Sequence, residues 1–214
     1  MIAAQQFWDK AAEGYARSPV RDEAAYATTL NRVRAHLTPR DRVLELGCGT
    51  GTTALKLADK VAHITATDIS GEMVRIGQEK AAAEGIANVT FLQGVPGDAA
   101  LATGGTYDVV TAFNLLHLID DLPAFLARIA PLVKPGGLFI SKSVCRPAPG
   151  EGGLKFAALR LILPVMQALG KAPFVAFRPI PALEATIEAA GFTILETGNY
   201  PARPPSRFIV ARKL

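Results

Sequence analysis

Several features are scarce or missing in this 214-residue sequence, and each absence excludes a class of protein. There are only two cysteines, Cys48 and Cys145, which are too few and too far apart for a disulfide framework or a clustered metal site. No apolar run is long enough to span a bilayer, and the first ten residues lack the basic start and apolar run of a signal peptide. We therefore expect a cytoplasmic protein without a bound metal.

The sequence also lacks a dense run of charges of one sign. The net charge is +4, yet the lysines and arginines are scattered and are not interleaved with aromatic residues, as they are on a nucleic-acid-binding surface. Half of the residues are apolar and a fifth are charged, so the chain can bury a large core and does not have the composition of a disordered protein. A nucleic-acid partner is not expected.

The most informative stretch runs from Val43 to Gly51. It begins as a short, largely apolar strand and continues with glycines at every second position, Gly47, Gly49 and Gly51, before a helix begins at Thr52. Glycines let backbone N–H groups approach a ligand closely, because no Cβ stands between them and the ligand. The stretch predicts a ligand-binding turn between a strand and a helix; a glycine-rich turn without a ligand is the alternative.

The spacing of these glycines distinguishes two kinds of site. A dinucleotide-binding turn has the pattern Gly-x-Gly-x-x-Gly, and its last glycine is replaced here by Thr52. What remains is an acid, Glu45, followed by Gly-x-Gly-x-Gly, with Cys48 at one of the x positions. This pattern resembles the first motif of class I S-adenosylmethionine (SAM)-dependent methyltransferases. The resemblance implies that the residues of this motif bind the cofactor: Glu45, Gly47, Cys48, Gly49 and Gly51.

A second acid supports the resemblance. Asp68 ends the next predicted strand, where an acid in nucleoside sites accepts hydrogen bonds from the ribose hydroxyls. The alternative is that Asp68 only caps the helix that follows. The resemblance implies that Asp68 binds ribose, that Ile69 lies against the adenine, and that Met73 on the next helix belongs to the same site.

The loop after the third predicted strand departs from the family. Many relatives have an acid directly after this strand, whereas this chain has Gly94 and Val95 there and Asp98 only later. The resemblance therefore leaves two possible adenine contacts, the backbone of Gly94 and Val95 or the side chain of Asp98.

The segment after the fourth predicted strand resembles the part of the family that lines the methionine end of SAM. The resemblance implies that Asn114 and Leu115 bind the amino-acid part of SAM. His117 is the nearest titratable side chain and a candidate general base. A histidine that only packs at the start of the next helix is the alternative.

The order of elements predicts an α/β fold. Strands alternate with helices over short connections, which indicates a doubly wound, mostly parallel seven-stranded sheet with helices on both faces. Ser70 and Asp120-Asp121 are predicted to cap the helices that follow them, and Lys134-Pro135-Gly136-Gly137 is predicted to form a tight turn before the fifth strand. The last two predicted strands have no helix between them, so the last strand must be antiparallel. We expect a single domain, 1–214, with an N-terminal helical cap at 1–38 and a lid-like insert at 146–180. The resemblance implies that Tyr15 of the cap reaches the cofactor; packing on the sheet is the alternative.

The insert is rich in proline, glycine and apolar residues, with a few basic residues among them. Three interpretations are open: a helix buried against the core of the domain, a lid over a hydrophobic substrate, or a helix on a membrane surface. The third is not favoured, because the basic residues are few for stable adsorption.

The resemblance implies an enzyme of the EC 2.1.1 type with SAM as cofactor. It would transfer a methyl group by in-line displacement to a small, hydrophobic molecule. The alternatives are a non-catalytic SAM-binding protein and a lipid- or membrane-associated methyltransferase. We expect a monomer or a homodimer, and the identity of the acceptor cannot be read from the sequence.

Overall fold

The computed structural model of the chain describes residues 2–98, 105–148 and 153–214. Its centre is a seven-stranded sheet in the order β3-β2-β1-β4-β5-β7-β6. The strands are β1 (Arg42–Leu46), β2 (His63–Asp68), β3 (Val89–Gln93), β4 (Tyr107–Phe113), β5 (Val133–Val144), β6 (Phe192–Asn199) and β7 (Ser206–Lys213). Strands β1 to β5 are mutually parallel, and β7 runs antiparallel to both β5 and β6. The predicted sheet, with its antiparallel last strand, is confirmed.

The helices in the described ranges begin and end at residues that the sequence marks well. They are α1 (Ile2–Arg17), α2 (Glu23–Arg34), α3 (Thr52–Leu57), α4 (Gly71–Glu84), α5 (Leu122–Ile129), α6 (Gly153–Ala168) and α7 (Ile180–Ala189). The Ser70 hydroxyl accepts a hydrogen bond from the first turn of α4, and Gly85, with a φ of 66°, ends that helix. The Asp121 carboxylate caps α5 in the same way. Both caps were predicted.

Strand β5 is longer than the sequence predicts. The turn-like run Pro135-Gly136-Gly137 was expected to precede the strand, but β5 already begins at Val133. The pairing with β4 shifts between Tyr107 and Val109, so the extra residues of β5 are accommodated as an irregularity within the strand. A positive φ of 74° at Gly136 makes this possible.

Helices cover both faces of the sheet. Apolar residues of α2, α3 and α4 pack with one set of strand residues, among them Val43 and Ile64. Residues of α5 and α7 pack with the alternate set, among them Leu44 and Leu46. Because side chains alternate along a strand, each strand contributes to both cores, and the predicted helices on both faces are confirmed.

The N-terminal helix α1 packs on α4 at the carboxyl edge of the sheet. Ala12 of α1 is buried with Met73 and Ile76 of α4. The Asp9 carboxylate accepts a 2.6 Å hydrogen bond from the Ser70 hydroxyl, and Glu13 pairs with Arg75. The helix is therefore held over the end of β2, as expected for a cap, while the boundaries of the cap and of the insert stay predictions.

Helix α6 forms most of the described part of the insert; residues 149–152 lie outside the described ranges. Its side chains Leu161, Ile162 and Val165 are 78%, 53% and 59% exposed, and Leu169, directly after the helix, is 64% exposed. These side chains do not pack against the core, so the interpretation of a buried helix does not fit them. No helix in the described part of the chain is long and apolar enough to cross a membrane.

Candidate functional site

A cleft opens at the carboxyl ends of β1, β2 and β4, where the strand order of the sheet reverses. This is the place where open α/β sheets bind ligands. The cleft encloses about 860 Å³, a volume that includes its open mouth. Ten of the residues predicted from the sequence line it: Tyr15, Gly47, Gly49, Asp68, Ile69, Met73, Gly94, Val95, Asn114 and Leu115.

The glycine turn after β1 places its three glycines in different surroundings. All three have positive φ values, 63°, 54° and 77° for Gly47, Gly49 and Gly51. A Cβ on Gly49 would lie 3.4 Å from the Tyr15 ring, at the cleft. A Cβ on Gly51 would lie 2.5 Å from the ring of Phe91, away from the cleft. Gly51 was predicted as a cofactor contact, but the structure gives it a packing role.

The Cys48 side chain also turns away from the cleft. The residue is buried, and its backbone N–H donates to the carbonyl of Thr67 on β2 at 2.9 Å. Burial raises the pKa of the thiol well above its usual value, so the side chain stays neutral. Cys48 thus ties the turn to the neighbouring strand instead of lining the cleft as predicted.

Gly49 and Gly51 provide a matched pair of variants. Gly49→Ala should weaken SAM binding by about ten-fold, because its methyl group and the positive φ disturb the cleft while the fold tolerates an ordinary contact with Tyr15. Gly51→Ala should instead lower the melting temperature by roughly 5–15 °C, because a methyl group cannot fit against Phe91. Calorimetry and thermal denaturation of both variants test this. Equal effects of the two variants on stability would contradict the assignment.

Asp68 is held in place by the backbone. Its Oδ2 accepts a hydrogen bond from the Gly49 N–H and its Oδ1 one from the Ser70 N–H, both at 2.9 Å. Burial raises the pKa of Asp68, and the two backbone N–H groups oppose that shift. The helix cap is Ser70, so the alternative role of Asp68 as the cap does not hold. Each carboxylate oxygen retains a lone pair that can face the cleft.

Glu45 lies beneath the turn and not in the cleft lining. It is 3% exposed. Burial, and then the negative charge of Asp68, raise the pKa of Glu45 to about 8. Glu45 is therefore largely protonated at neutral pH.

The loop after β3 decides between the two predicted adenine contacts. Gly94 and Val95 line the cleft. The Asp98 carboxylate turns back and accepts a 2.8 Å hydrogen bond from the Val95 N–H, so it braces the loop from behind. The geometry favours the backbone of Gly94 and Val95 over the side chain of Asp98.

The wall that follows β4 is apolar. Asn114 adopts a φ of 53°, and its N–H donates to the Lys142 carbonyl at 2.7 Å. Leu115 comes so close to Gly47 that a Cβ there would lie 2.8 Å from a Leu115 methyl group. Phe113 and Leu118, from the segment that the resemblance assigned to the methionine end of SAM, belong to this wall. Ile119 and Phe125, which were not predicted from the sequence, complete it.

His117 stands behind this wall and does not line the cleft. Its Nδ1 lies 3.1 Å from the Ser143 hydroxyl, which also accepts the His117 backbone N–H at 2.9 Å. Burial, and then the charge of Arg178, lower the pKa of His117 to about 4. A group with so low a pKa has little tendency to take up a proton at neutral pH. The geometry fits the packing alternative better than a general base.

Tyr15 belongs to the cleft. Its ring stands edge-to-face with Trp8, which also lines the cleft. Burial, and then the charge of Asp68, raise the pKa of the Tyr15 hydroxyl, so it remains a hydrogen-bond donor. Of the two alternatives for Tyr15, the structure shows the one at the cleft. Within the described ranges, no group of three or more His, Cys, Asp or Glu residues could hold a metal ion.

Comparisons with known proteins agree with this geometry. Residues 43–137 match a family model described as a methyltransferase domain. The ubiquinone biosynthesis O-methyltransferase of Xanthomonas axonopodis pv. citri is 34% identical over 152 residues, which are 68% of this chain. The match spans 59% of that relative, which is less than two thirds of its length.

Solved structures share the fold over almost the whole chain. Magnesium protoporphyrin IX methyltransferase from Synechocystis, solved with bound S-adenosylhomocysteine (SAH), gives a TM-score of 0.72 at 22% identity and covers 98% of each chain. The [4+2]-cyclase SpnF gives a TM-score of 0.69 at 18% identity, over 92% of this chain and 84% of its own. At such identities the likeness shows the fold alone.

Proposed function

The chain belongs to the class I, Rossmann-like family of SAM-dependent methyltransferases, and on this basis we propose that it is an enzyme that methylates a small, hydrophobic molecule. The observation that carries the proposal is the cleft itself. It combines a glycine turn and a fixed carboxylate, Asp68, at one end with an apolar wall at the other. SAM would bind at the first end, and a hydrophobic acceptor would bind at the second.

The donor and acceptor groups of the cleft fit SAM. The carboxylate of Asp68 suits the ribose hydroxyls, and the absence of a Cβ at Gly49 leaves room beside Tyr15 for the amino-acid part. Ile69, Met73 and the backbone of Val95 surround a slot that suits a flat, apolar adenine. These assignments are part of the proposal.

Bound SAM supplies a methyl group on a positively charged sulfur, which makes that carbon electrophilic. The protein would hold SAM and the acceptor in position and exclude water from the cleft. Helix α1, with Trp8 and Tyr15, closes one side of the cleft, and the apolar wall with Leu118 and Ile119 excludes water from the other. Orientation of this kind can lower a barrier by about 7–11 kcal/mol.

A strong base is not required by this arrangement. Among the described residues that line the cleft, the titratable side chains are Tyr15 and Asp68, and both have binding roles in the proposal. An acceptor with an acidic hydroxyl group suits such a site, because it needs little help to lose its proton. The name of the Xanthomonas relative, an O-methyltransferase, supports oxygen as the methylated atom.

A second candidate is SAM binding without methyl transfer. The SpnF structure favours keeping it, because a cyclase has the same fold. Labelled SAM incubated with the protein and phenols of increasing alkyl chain length separates the two. Labelled ether and SAH should form together; tight SAM binding without either product would support the second candidate. The cytoplasmic location and the oligomeric state expected from the sequence stay predictions.

His117→Ala is expected to lower stability and leave the chemistry largely intact. A buried side chain and its contact with Ser143 are lost, which should cost about 1–3 kcal/mol. Unfolding in urea and the pH dependence of turnover measure the two effects, with Ser143→Ala as the matched control for the lost hydrogen bond. A large loss of turnover at normal stability would instead restore His117 as the general base.

A further inference from the structure

The segment after α6 is bound to the wall of the cleft by one side chain. The guanidinium of Arg178 donates from Nη1 to the Leu116 carbonyl at 3.0 Å, and from Nη2 to the carbonyls of Ile119 and Asp120 at 2.6 and 2.8 Å. Close by, the Ala176 N–H donates to the His117 carbonyl at 2.7 Å. In the segment 116–120, every backbone carbonyl except that of Leu118 therefore accepts a hydrogen bond from residues 176–178.

The segment 116–120, which is held in this way, forms part of the wall of the cleft. It contains Leu118 and Ile119, whose side chains face the interior. The segment 116–120 contains a single 3-10 turn, Leu116–Leu118, which by itself fixes few backbone groups. Its position must therefore come from outside, and Arg178 supplies three of the hydrogen bonds that fix it.

Arg178 forms no ion pair within the described part of the chain. Burial lowers its pKa, and the negative charge of Asp120 opposes that shift. A half-buried guanidinium without a paired carboxylate costs desolvation energy, which its planar array of donors offsets here by reaching three carbonyls at once. A lysine cannot reproduce this arrangement, because its ammonium group is a single point of donation.

The same segment is connected to α6. Phe177 packs edge-to-face on Phe156 of α6, with ring centroids 5.1 Å apart. Gln167, near the end of α6, donates to the Pro173 carbonyl at 2.9 Å. The backbone N–H of Arg146 donates to the Arg178 carbonyl, which ties the segment to the end of β5 as well. These contacts connect α6 with the backbone on either side of Arg178.

We propose that Arg178 is a positioning residue that couples α6 to the acceptor end of the cleft, so that the place of α6 sets the position of Leu118 and Ile119. The proposal rests on the proposed function, because that function identifies this end as the acceptor's. Arg178 does not touch the acceptor or SAM. It holds the wall that the acceptor contacts, and it should affect acceptor binding without affecting SAM binding.

The test begins with measurements that need no turnover. In Arg178→Gln saturated with SAH, amide hydrogen exchange in residues 116–120 should accelerate by about ten-fold or more, while exchange in the glycine turn after β1 stays unchanged. The His117 ring provides a second signal by NMR. Its pKa, held low by burial and by Arg178, should rise once the charge is removed.

Three further variants make the result specific. In hydrogen exchange at 116–120, Arg178→Lys should behave like Arg178→Gln, whereas its retained charge should keep the pKa of His117 low. Adding guanidinium to Arg178→Gly should restore slow exchange at 116–120. Arg146→Gln is the matched control, since its exposed side chain makes no hydrogen bond among the described residues. With the phenol that the protein methylates best, the KM of Arg178→Gln should rise by about ten-fold while SAM affinity changes by less than about two-fold.

Unchanged exchange at 116–120, or an equal acceleration throughout the chain, would overturn the proposal. Equal losses of acceptor and SAM affinity would overturn it too, because they would indicate general damage. If no phenol is methylated by the wild-type protein, the proposed function fails, whereas the exchange and NMR results still decide whether Arg178 holds the wall.

Discussion

Asp68→Ala is expected to weaken the binding of SAM and SAH by about two to four powers of ten. Two charge-assisted hydrogen bonds to the ribose are lost, each of about 1.5–3 kcal/mol. The variant also removes the acceptor of the Gly49 and Ser70 N–H groups, so the glycine turn loses one of its anchors to β2. Both effects act on SAM and SAH alike, because the two ligands share the ribose.

Isothermal calorimetry measures this prediction, and two control variants sharpen it. Asp68→Asn keeps one acceptor oxygen and should give an intermediate affinity. Asp98→Ala removes a carboxylate from the neighbouring loop that turns away from the cleft, and it should have a much smaller effect. An affinity of Asp68→Ala within a few-fold of wild type would remove Asp68 from the ribose role.

The parts of the fold that the sequence predicts correctly are those with local causes. Ser70 and Gly85 mark the ends of α4 because a hydroxyl cap and a left-handed glycine act within one turn of the chain. The start of β5 has a non-local cause. Pro135 and the glycines after it have the composition of a turn, but pairing with β4 draws them into the strand. Nothing within that stretch of sequence records this pairing.

The candidate site shows the same difference between features with local causes and features with non-local causes. The glycine pattern and Asp68 are found because chemistry and spacing mark them. The pattern does not tell that Gly51 faces Phe91, a residue forty positions later, while Gly49 faces the cleft. Ile119 and Phe125 were missed because an apolar residue that lines a cleft cannot be told by its residue type from one in the core. His117 was assigned by its residue type, whereas its role depends on Ser143 and Arg178.

Glu45 should make the free energy of unfolding depend strongly on pH. Its pKa is about 8 in the fold, compared with 4.5 when exposed, so the fold favours its protonated form. This contribution is complete below about pH 4.5 and is lost as the pH rises to about 8. In Glu45→Gln, which has the same shape but cannot ionise, it should be absent. The difference between the two proteins should change by up to about 4 kcal/mol between pH 5 and pH 9.

Urea unfolding of wild type and Glu45→Gln at both pH values measures this difference. All other titrating groups are common to the two proteins, so their contributions cancel unless they interact with Glu45. Asp68 is the group that does so, through its negative charge. Parallel pH profiles for the two proteins would show that Glu45 is already ionised in the fold near neutral pH.

The same buried acid should release a proton when SAM binds. SAM carries a sulfonium charge that SAH lacks, and a positive charge near Glu45 stabilises its ionised form. At pH 7 we expect SAM to release up to about one proton on binding and SAH to release less. Calorimetry in two buffers with different heats of ionisation counts the protons, and Glu45→Gln should abolish the difference between the ligands. Release that persists in Glu45→Gln would assign the proton to another group, with Asp68 next in line because burial raises its pKa as well.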